Sequence, residues 1–399
     1  MAPNTGGVPP SLSLSRLHDV DLTTPSSSSS VHVSALAFHP SSKYLAVGLT
    51  SGVVLVYSSS SSPSSPSSSF SSLTSSFSGH LGGINDLAWA ASSSSCVASA
   101  SDDTTIRVWC VETSKCIQIL RGHTHFVFTV AYNLPRGHVL ASGSFDETVR
   151  LWDARTGDEV RVLPAHSDPV TAVSFSDDGA LLATSSRDGC VRLWNAESGR
   201  CLYTLLHEDN NTLTTAAAGA APAPAPAPAP PPAGNDKSQQ TTQPVVGYVE
   251  VLPGGRYILT STLDGACRIW DMLADAGAMK NIAHDDANGD DAAPDGPARR
   301  VPKLVCVRTF TGCANSKMTM KRSVLSCDDG TLLIVGGGED GEVCVWDAQS
   351  LSSKPAARVD SAHSSAAIAC ASCPSQMLVA TGAIEKKATV TIWRVDLKS

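Results

Sequence analysis

Residues Leu140–Asp153 read LASGSFDETVRLWD, and their spacing decides the fold. A run of small residues, Ala141 to Ser144, leads into Asp146; Trp152 follows six residues later, and Asp153 closes the phrase. From Thr148 to Trp152 the side chains alternate, Val149 and Leu151 to one side and Thr148, Arg150 and Trp152 to the other, which is the period of an extended strand. Asp146 and Glu147 fall between the two extended halves, where a short polar side chain bonds nearby backbone and makes a tight turn. The phrase predicts a β-hairpin.

The same hairpin recurs along the chain. SASDDTTIRVWC places Asp103 six residues before Trp109, and SSRDGCVRLWN places Asp188 six before Trp194. STLDGACRIWD pairs Asp264 with Trp270, and GGEDGEVCVWD pairs Asp340 with Trp346. In three of them a glycine follows the aspartate (Gly189, Gly265, Gly341), the dipeptide that favours a two-residue hairpin turn. Worn copies at the ends, GLTSGVVLVY to Tyr57 and GAIEKKATVTIW to Trp393, bring the count to seven. Six of the seven tryptophans close a repeat, and Trp89 does not.

Upstream of the hairpins lies a second marker, a small residue followed by histidine, at His80, His123, His166 and His363. His80 and His123 precede Asp103 and Asp146 by 23 residues, and His166 precedes Asp188 by 22, so histidine and aspartate meet within each unit. The sets His80, Asp103, Trp109; His123, Asp146, Trp152; and His166, Asp188, Trp194 therefore predict a structural hydrogen-bond chain. It runs from aspartate in the turn to histidine in the loop, and through serine to the indole N–H. Each link contributes about 1 kcal/mol. A catalytic triad is needed once, in one cleft, whereas this set repeats. The contiguous His166-Ser167-Asp168 points its side chains apart in an extended segment. With neither a phosphate-binding glycine loop nor a spacing that suggests a metal cluster, the chain reads as non-enzymatic, without catalytic residues, cofactor or metal.

A unit of about 40 to 45 residues, opening on Gly-His and closing on Trp-Asp, resembles the WD-repeat β-propeller. The resemblance implies an all-β fold of seven four-stranded blades. The alternating SLSLSRL of Ser11 to Leu17, with His18 after it in the marker position, would be an N-terminal strand that closes the ring. Residues 1–30 then form a tail with the closing strand and residues 31–399 the propeller. Blade 1, with Ser51 and Tyr57 at the Asp and Trp positions, should have a weak internal network or none. Three stretches read as disordered inserts: a serine tract at 58–78, an Ala-Pro tract at 212–243 and an Asp-rich tract at 273–302.

Composition agrees with one large β domain. The chain has 399 residues and is 42% hydrophobic. Its net charge of −8 argues against a nucleic-acid surface. The start lacks the charged, apolar and small-residue order of a signal peptide. The longest apolar stretch, Ala216 to Ala233, is an Ala-Pro tract, so neither export nor membrane insertion is expected. Twelve cysteines lie mostly in strands, with a single CxxC at Cys370 and Cys373. That pattern suits packing in a reducing nuclear or cytosolic compartment better than metal or redox work.

GHLGGINDLAW, ASDDTTIRVWCVETSKC, GSFDETVRLWD and LPAHSDPVTAVSFSDDG resemble the WD-repeat subunit of SET/MLL-type (COMPASS) complexes, which methylate lysine 4 of histone H3. That resemblance implies a nuclear, non-catalytic scaffold. Its partners would be a SET/MLL-type methyltransferase, the other core subunits and the histone H3 tail. In that family one channel mouth holds an arginine between two phenylalanines. By resemblance Phe128 is one of them, Phe145 lines the same mouth, and Gly83, Asn85, Asp102 and Thr171 sit around it. Thr311 to Val345 contains no aromatic for the second clamp, offering Lys321 instead, and Arg187 stands where another aromatic is implied. Cations there would repel an arginine. A second groove on the opposite face, for a short acidic-hydrophobic peptide, would use Tyr257, Ile269 and Gln349, with the Asp-rich insert emerging beside it. The alternative is a WD adaptor of another assembly, such as a ubiquitin-ligase substrate receptor.

Overall fold

The computed structural model describes residues 11–22, 31–60, 69–90, 95–134, 137–206, 244–272, 304–318, 320–327, 329–385 and 388–398. Every repeat folds into one antiparallel four-stranded sheet, and seven such sheets form the ring of a β-propeller. The first element among the described residues is β1 (Ser11–Asp21). Blade 1 follows as β2 (Val33–Phe38), β3 (Tyr44–Leu49), β4 (Val54–Ser60) and β5 (Ser69–Phe77). Blade 2 is β6 (Ile84–Trp89), β7 (Cys96–Ser101), β8 (Thr105–Cys110) and β9 (Lys115–Arg121). Blade 3 is β10 (Val127–Tyr132), β11 (Val139–Ser144), β12 (Val149–Asp153) and β13 (Glu159–Leu163). Blade 4 is β14 (Val170–Phe175), β15 (Leu181–Ser186), β16 (Cys190–Asn195) and β17 (Cys201–Leu206). Blade 5 is β18 (Val246–Val251), β19 (Tyr257–Thr262), β20 (Cys267–Asp271) and β21 (Val305–Phe310). Blade 6 is β22 (Arg322–Ser326), β23 (Leu332–Gly337), β24 (Val343–Asp347) and β25 (Ala357–Val359). Blade 7 is β26 (Ala369–Cys373), β27 (Leu378–Gly382) and β28 (Thr389–Lys398), with one 3-10 turn at Pro374–Gln376.

Burial explains the composition of each strand. Second strands are sandwiched between neighbouring blades and carry small or apolar residues throughout, as in the fully buried Tyr44–Leu49. Outer strands face solvent on one side and alternate, as β9 does. The core is divided into seven clusters, one in each gap between adjacent blades. Leu36, Leu45 and Val47 of blade 1, for instance, pack on Ala380, Val390 and Ile392 of blade 7.

The ring closes as the alternation of residues 11–17 predicts. β1 pairs antiparallel with β28 from Ser11 opposite Lys398 to Asp21 opposite Thr389, with a bulge between Arg16 and His18. This supplies the fourth strand of blade 7 and covers its edge. His18 is corrected by this pairing: it lies within the strand opposite Ile392, not in a marker loop.

The serine tract needs a larger correction. β4 continues to Ser60, and Ser69–Phe77 forms the outer strand of blade 1, so only residues 61–68 of the tract lie outside the described residues. Two apolar anchors overcome the poor composition of the tract: Phe70 and Phe77 are 0% and 2% exposed, with Phe77 stacked on Trp109 at 5.1 Å. The Ala-Pro tract at 212–243 and the Asp-rich tract at 273–302 lie outside the described residues. The residues that flank the latter, Met272 and Leu304, are in the core between blades 4 and 5.

Candidate functional site

The turn after each aspartate demands a left-handed residue, the conformation that glycine adopts most readily. Gly189, Gly265 and Gly341 supply it with φ of 79°, 79° and 75°, while Thr104 and Glu147 adopt 69° and 68° at the equivalent position. These turns aim the aspartates at the loop histidines. In blade 2, His80 Nδ1 lies 2.8 Å from Asp103, His80 Nε2 lies 2.8 Å from Ser99 Oγ, and Trp109 Nε1 donates to the same Ser99 oxygen at 2.8 Å. Blade 3 repeats this through His123, Asp146, Ser142 and Trp152 at 2.8 to 2.9 Å. In blade 4, Thr184 replaces serine between His166 and Trp194, with Asp188 at 3.0 Å from the histidine. Because indole only donates and carboxylate only accepts, the neutral chain runs one way: Trp N–H to hydroxyl, hydroxyl to His Nε2, His Nδ1–H to aspartate.

The titrations follow from this burial. Desolvation lowers the imidazoles of His80 and His166 against the upward pull of Asp103 and Asp188. Burial works against the charge of Asp103, but hydrogen bonds from Thr105, the Leu81 N–H and His80 outweigh it and hold the carboxyl at about 2. Asp188 is likewise at about 2. Blade 7, the worn copy, keeps the network with an acid from farther along: His363 meets Glu385 at 3.5 Å and Thr381 at 2.8 Å, and Trp393 donates to Thr381 at 2.8 Å. In blade 5, which has no marker histidine, Asp264 pairs with Arg268 at 2.7 Å, and Trp270 donates to Thr260.

The inner strands line a central channel with a volume of about 720 Å³. Asn85, Phe128, Thr171 and Arg187, all expected at one mouth, line it together. Gly83 and Asp102 stand beside them: Asp102 donates its N–H to the Gly83 carbonyl and accepts from the Asn85 amide at 2.7 Å. Asp102 is therefore already engaged by Asn85 at the mouth. Thr171 donates to the Val246 carbonyl at 2.7 Å. Phe145 is 41% exposed and packs edge-on to Phe128 with ring centres 5.9 Å apart. His125 stacks on Phe145 at 4.4 Å, and Phe126, 39% exposed, meets His125 edge-on, so the rim of blade 3 carries an open aromatic cluster.

Lys321 reaches across this channel from blade 6 to blade 2. Its ammonium donates to the Asn85 carbonyl at 3.0 Å and forms an ion pair with Asp86. Asp86, which sequence reading passed over, also accepts from the hydroxyl of Thr129 and the N–H of Val130. Its only signal was position, next to Asn85 on an inner strand. The expected repulsion by Lys321 is thus answered locally by an acid. Deeper in the channel, burial raises the Glu250 carboxyl to about 7, against the lowering bond from Tyr248.

On the opposite face the expected trio divides. Tyr257 is half-buried beneath the Arg256 guanidinium, 5.0 Å from its ring centre, and Gln349 is exposed and donates to the Gly330 carbonyl. Ile269 is corrected: it is 5% exposed and packed between blades 5 and 6 with Leu259 and Trp346, because its place in β20 turns it into the gap between blades. Elsewhere, Cys313, Glu342 and Cys344 bring three metal-type donor atoms within 4.8 Å of one another, a cluster that the sequence spacing did not suggest.

A closed ring whose loops surround one channel, with its repeated polar sets consumed in holding the blades, defines a propeller that acts as a docking platform. The sequence profile of the WD domain, G-beta repeat family matches residues 22–58, 71–110, 114–153, 157–195, 238–271 and 304–347, more than half of the chain. The chain belongs to that family, and blade 7 completes the ring beyond the matched stretches. The Polycomb protein EED of Chaetomium thermophilum is 46% identical over 61 residues, which cover 14% of this chain and 11% of that protein.

Proposed function

We propose that the chain is a nuclear, non-catalytic scaffold of a histone H3 lysine-4 methyltransferase complex, and that its channel mouth takes a cationic side chain from a partner peptide. The observation that carries this reading is Lys321. A backbone carbonyl and a carboxylate already hold an ammonium group where an incoming cation would sit, in a channel lined by Phe128. Cation and aromatic face attract by about 0.5 to 2 kcal/mol, and the aromatic rim of blade 3 offers more such surface. In this reading Lys321 is a built-in competitor that a partner arginine displaces. The phrases of blades 2 to 4 support the methyltransferase assignment, with a SET/MLL-type enzyme, its core subunits and the H3 tail as partners. A second reading, an adaptor of a Polycomb-type assembly, is favoured by the 61-residue similarity to a Polycomb protein.

The test is binding of arginine-containing peptides, from the methyltransferase catalytic subunit and from the H3 N-terminus, to the purified chain, Phe128→Ala and Lys321→Ala. Expected is an affinity near micromolar, about −8 kcal/mol, lost in the first variant and strengthened about tenfold in the second. Absence of binding by the folded chain and by Lys321→Ala alike would overturn the reading. Co-purification then separates the assemblies: SET-domain subunits support the first reading, and Polycomb subunits the second.

A further inference from the structure

Blade 6 keeps the hairpin with its Asp340 and Trp346 but replaces the histidine, the hydroxyl and the arginine of its neighbours' polar network. Cys313 follows Gly312 in the register of the marker histidines, and Gly336 stands where Ser99 and Ser142 accept an indole. Cys344, two residues before Trp346, takes the position of Arg107, Arg150 and Arg192. The missing arginine enters from elsewhere. Arg322, at the start of β22, is only 2% exposed, lies 5.7 Å from the Trp346 ring centre and donates to the Gly337 carbonyl at 2.6 Å. It fills the space that any side chain at position 336 would need.

This arginine is short of an anion. Its Nε and second terminal nitrogen have no hydrogen-bond partner among the described residues. Glu342 is committed elsewhere, accepting from the Ala314 N–H at 2.8 Å and pairing with Arg358 at 2.5 Å. A buried cation without a counter-charge is costly, and the acids that act on it are the thiols of Cys267, Cys313 and Cys370. The Sγ atoms of Cys313 and Cys344 lie within 4.8 Å of each other, and both residues are buried, at 4% and 0% exposure.

We propose that Cys313 and Cys344 form a redox-responsive dithiol, which peroxide converts to a disulfide that clamps the segment entering blade 6 to its third strand. The hydrogen bond with Cys344 lowers the Cys313 thiol, with help from the Arg322 charge and against burial, while the same bond and burial raise Cys344. Cys313, the more exposed of the two at 4% against 0%, is assigned as the attacking thiol and Cys344 as the resolving thiol. The Cys313 sulfur attacks one peroxide oxygen, giving a sulfenic acid and hydroxide. The Cys344 sulfur then attacks the sulfenic sulfur, forming the S–S bond and releasing a second hydroxide. The protons of the two thiols turn both hydroxides into water, and two electrons pass from sulfur to peroxide. A divalent metal would have to displace the Arg358 guanidinium, which already pairs with the Glu342 carboxylate.

The experiment treats the folded full-length chain with hydrogen peroxide, blocks free thiols with N-ethylmaleimide and maps cysteines by mass spectrometry. Expected are a Cys313–Cys344 cross-linked peptide, its reversal by dithiothreitol, and a raised thermal midpoint. In Cys344→Ser, a sulfenic acid trapped by dimedone at Cys313 is expected instead. Cys313 and Cys344 both remaining free, a bridge from Cys313 to Cys267 or Cys370, or stoichiometric zinc retained by the purified chain and lost in Cys313→Ser would each overturn the proposal.

Discussion

Asp146 shows how much one residue carries in this fold. Its carboxylate accepts from His123 at 2.9 Å, from the hydroxyl and N–H of Thr148, and from the N–H of Thr124, so one side chain ties turn, loop and strand together. Asp146→Ala leaves these donors unpaired, and a loss of about 2 kcal/mol or more is expected in urea denaturation, with the native fold retained at neutral pH. The same networks fix the acid response. His80, His166 and His363 are all lowered by desolvation in the fold, so below their ordinary value the unfolded chain binds more protons than the folded one. Asp103 and Asp188, held at about 2, act in the same direction at lower pH. In a Glu250→Gln background, which removes the opposing titration of that raised carboxyl, stability is therefore full above about pH 6.5, declines as the histidines of the unfolded chain protonate, and declines again between about pH 4 and 2. Thermal midpoints measured across this range check the sign; a midpoint that rises on acidification from neutrality contradicts it.

At the scale of elements, the decisive one is β1. Without it β28 presents an open edge, and Trp393 loses the Arg16 guanidinium 5.9 Å from its ring centre. Removing residues 1–21 is expected to lower the thermal midpoint markedly and to produce concentration-dependent oligomers in light scattering, because an exposed strand edge templates pairing with other chains. A monomer of unchanged stability would show that the six other blades hold the ring alone. β5 teaches the complementary lesson. Serine makes up most of Ser69–Phe77, yet Phe70 sits edge-on to Phe38 at 5.2 Å and Phe77 stacks on Trp109, so two rings fasten the strand to its blade and to the next. Composition averaged over the tract hid them, since the averaging window was longer than the spacing of the anchors.

Across the whole molecule, the channel couples elements that the sequence keeps far apart. Lys321 of blade 6 and Asp86 of blade 2 are 235 residues apart and form an ion pair, with Glu250 of blade 5 lining the same space. Because burial brings Glu250 to about 7, raising pH through neutrality adds a negative charge to the channel. Affinity for a cationic peptide is expected to rise over that interval by a few-fold, and Glu250→Gln to flatten the rise, as titration calorimetry at several pH values would show. The hairpins, their number and their closing tryptophans were legible in the sequence because period-2 alternation and turn chemistry are local and repeat. The aspartate-to-histidine pairing was legible too, since constant spacing in a repeated unit means constant geometry. Tertiary structure alone decided that Ile269 lies in the core, that Glu385 serves blade 7, that Lys321 occupies the channel, and that Arg322, Cys313 and Cys344 meet in blade 6. Those outcomes depend on which blades become neighbours when the ring closes. Spacing along the chain reports distances within a blade, and only closure of the ring sets the distances between them.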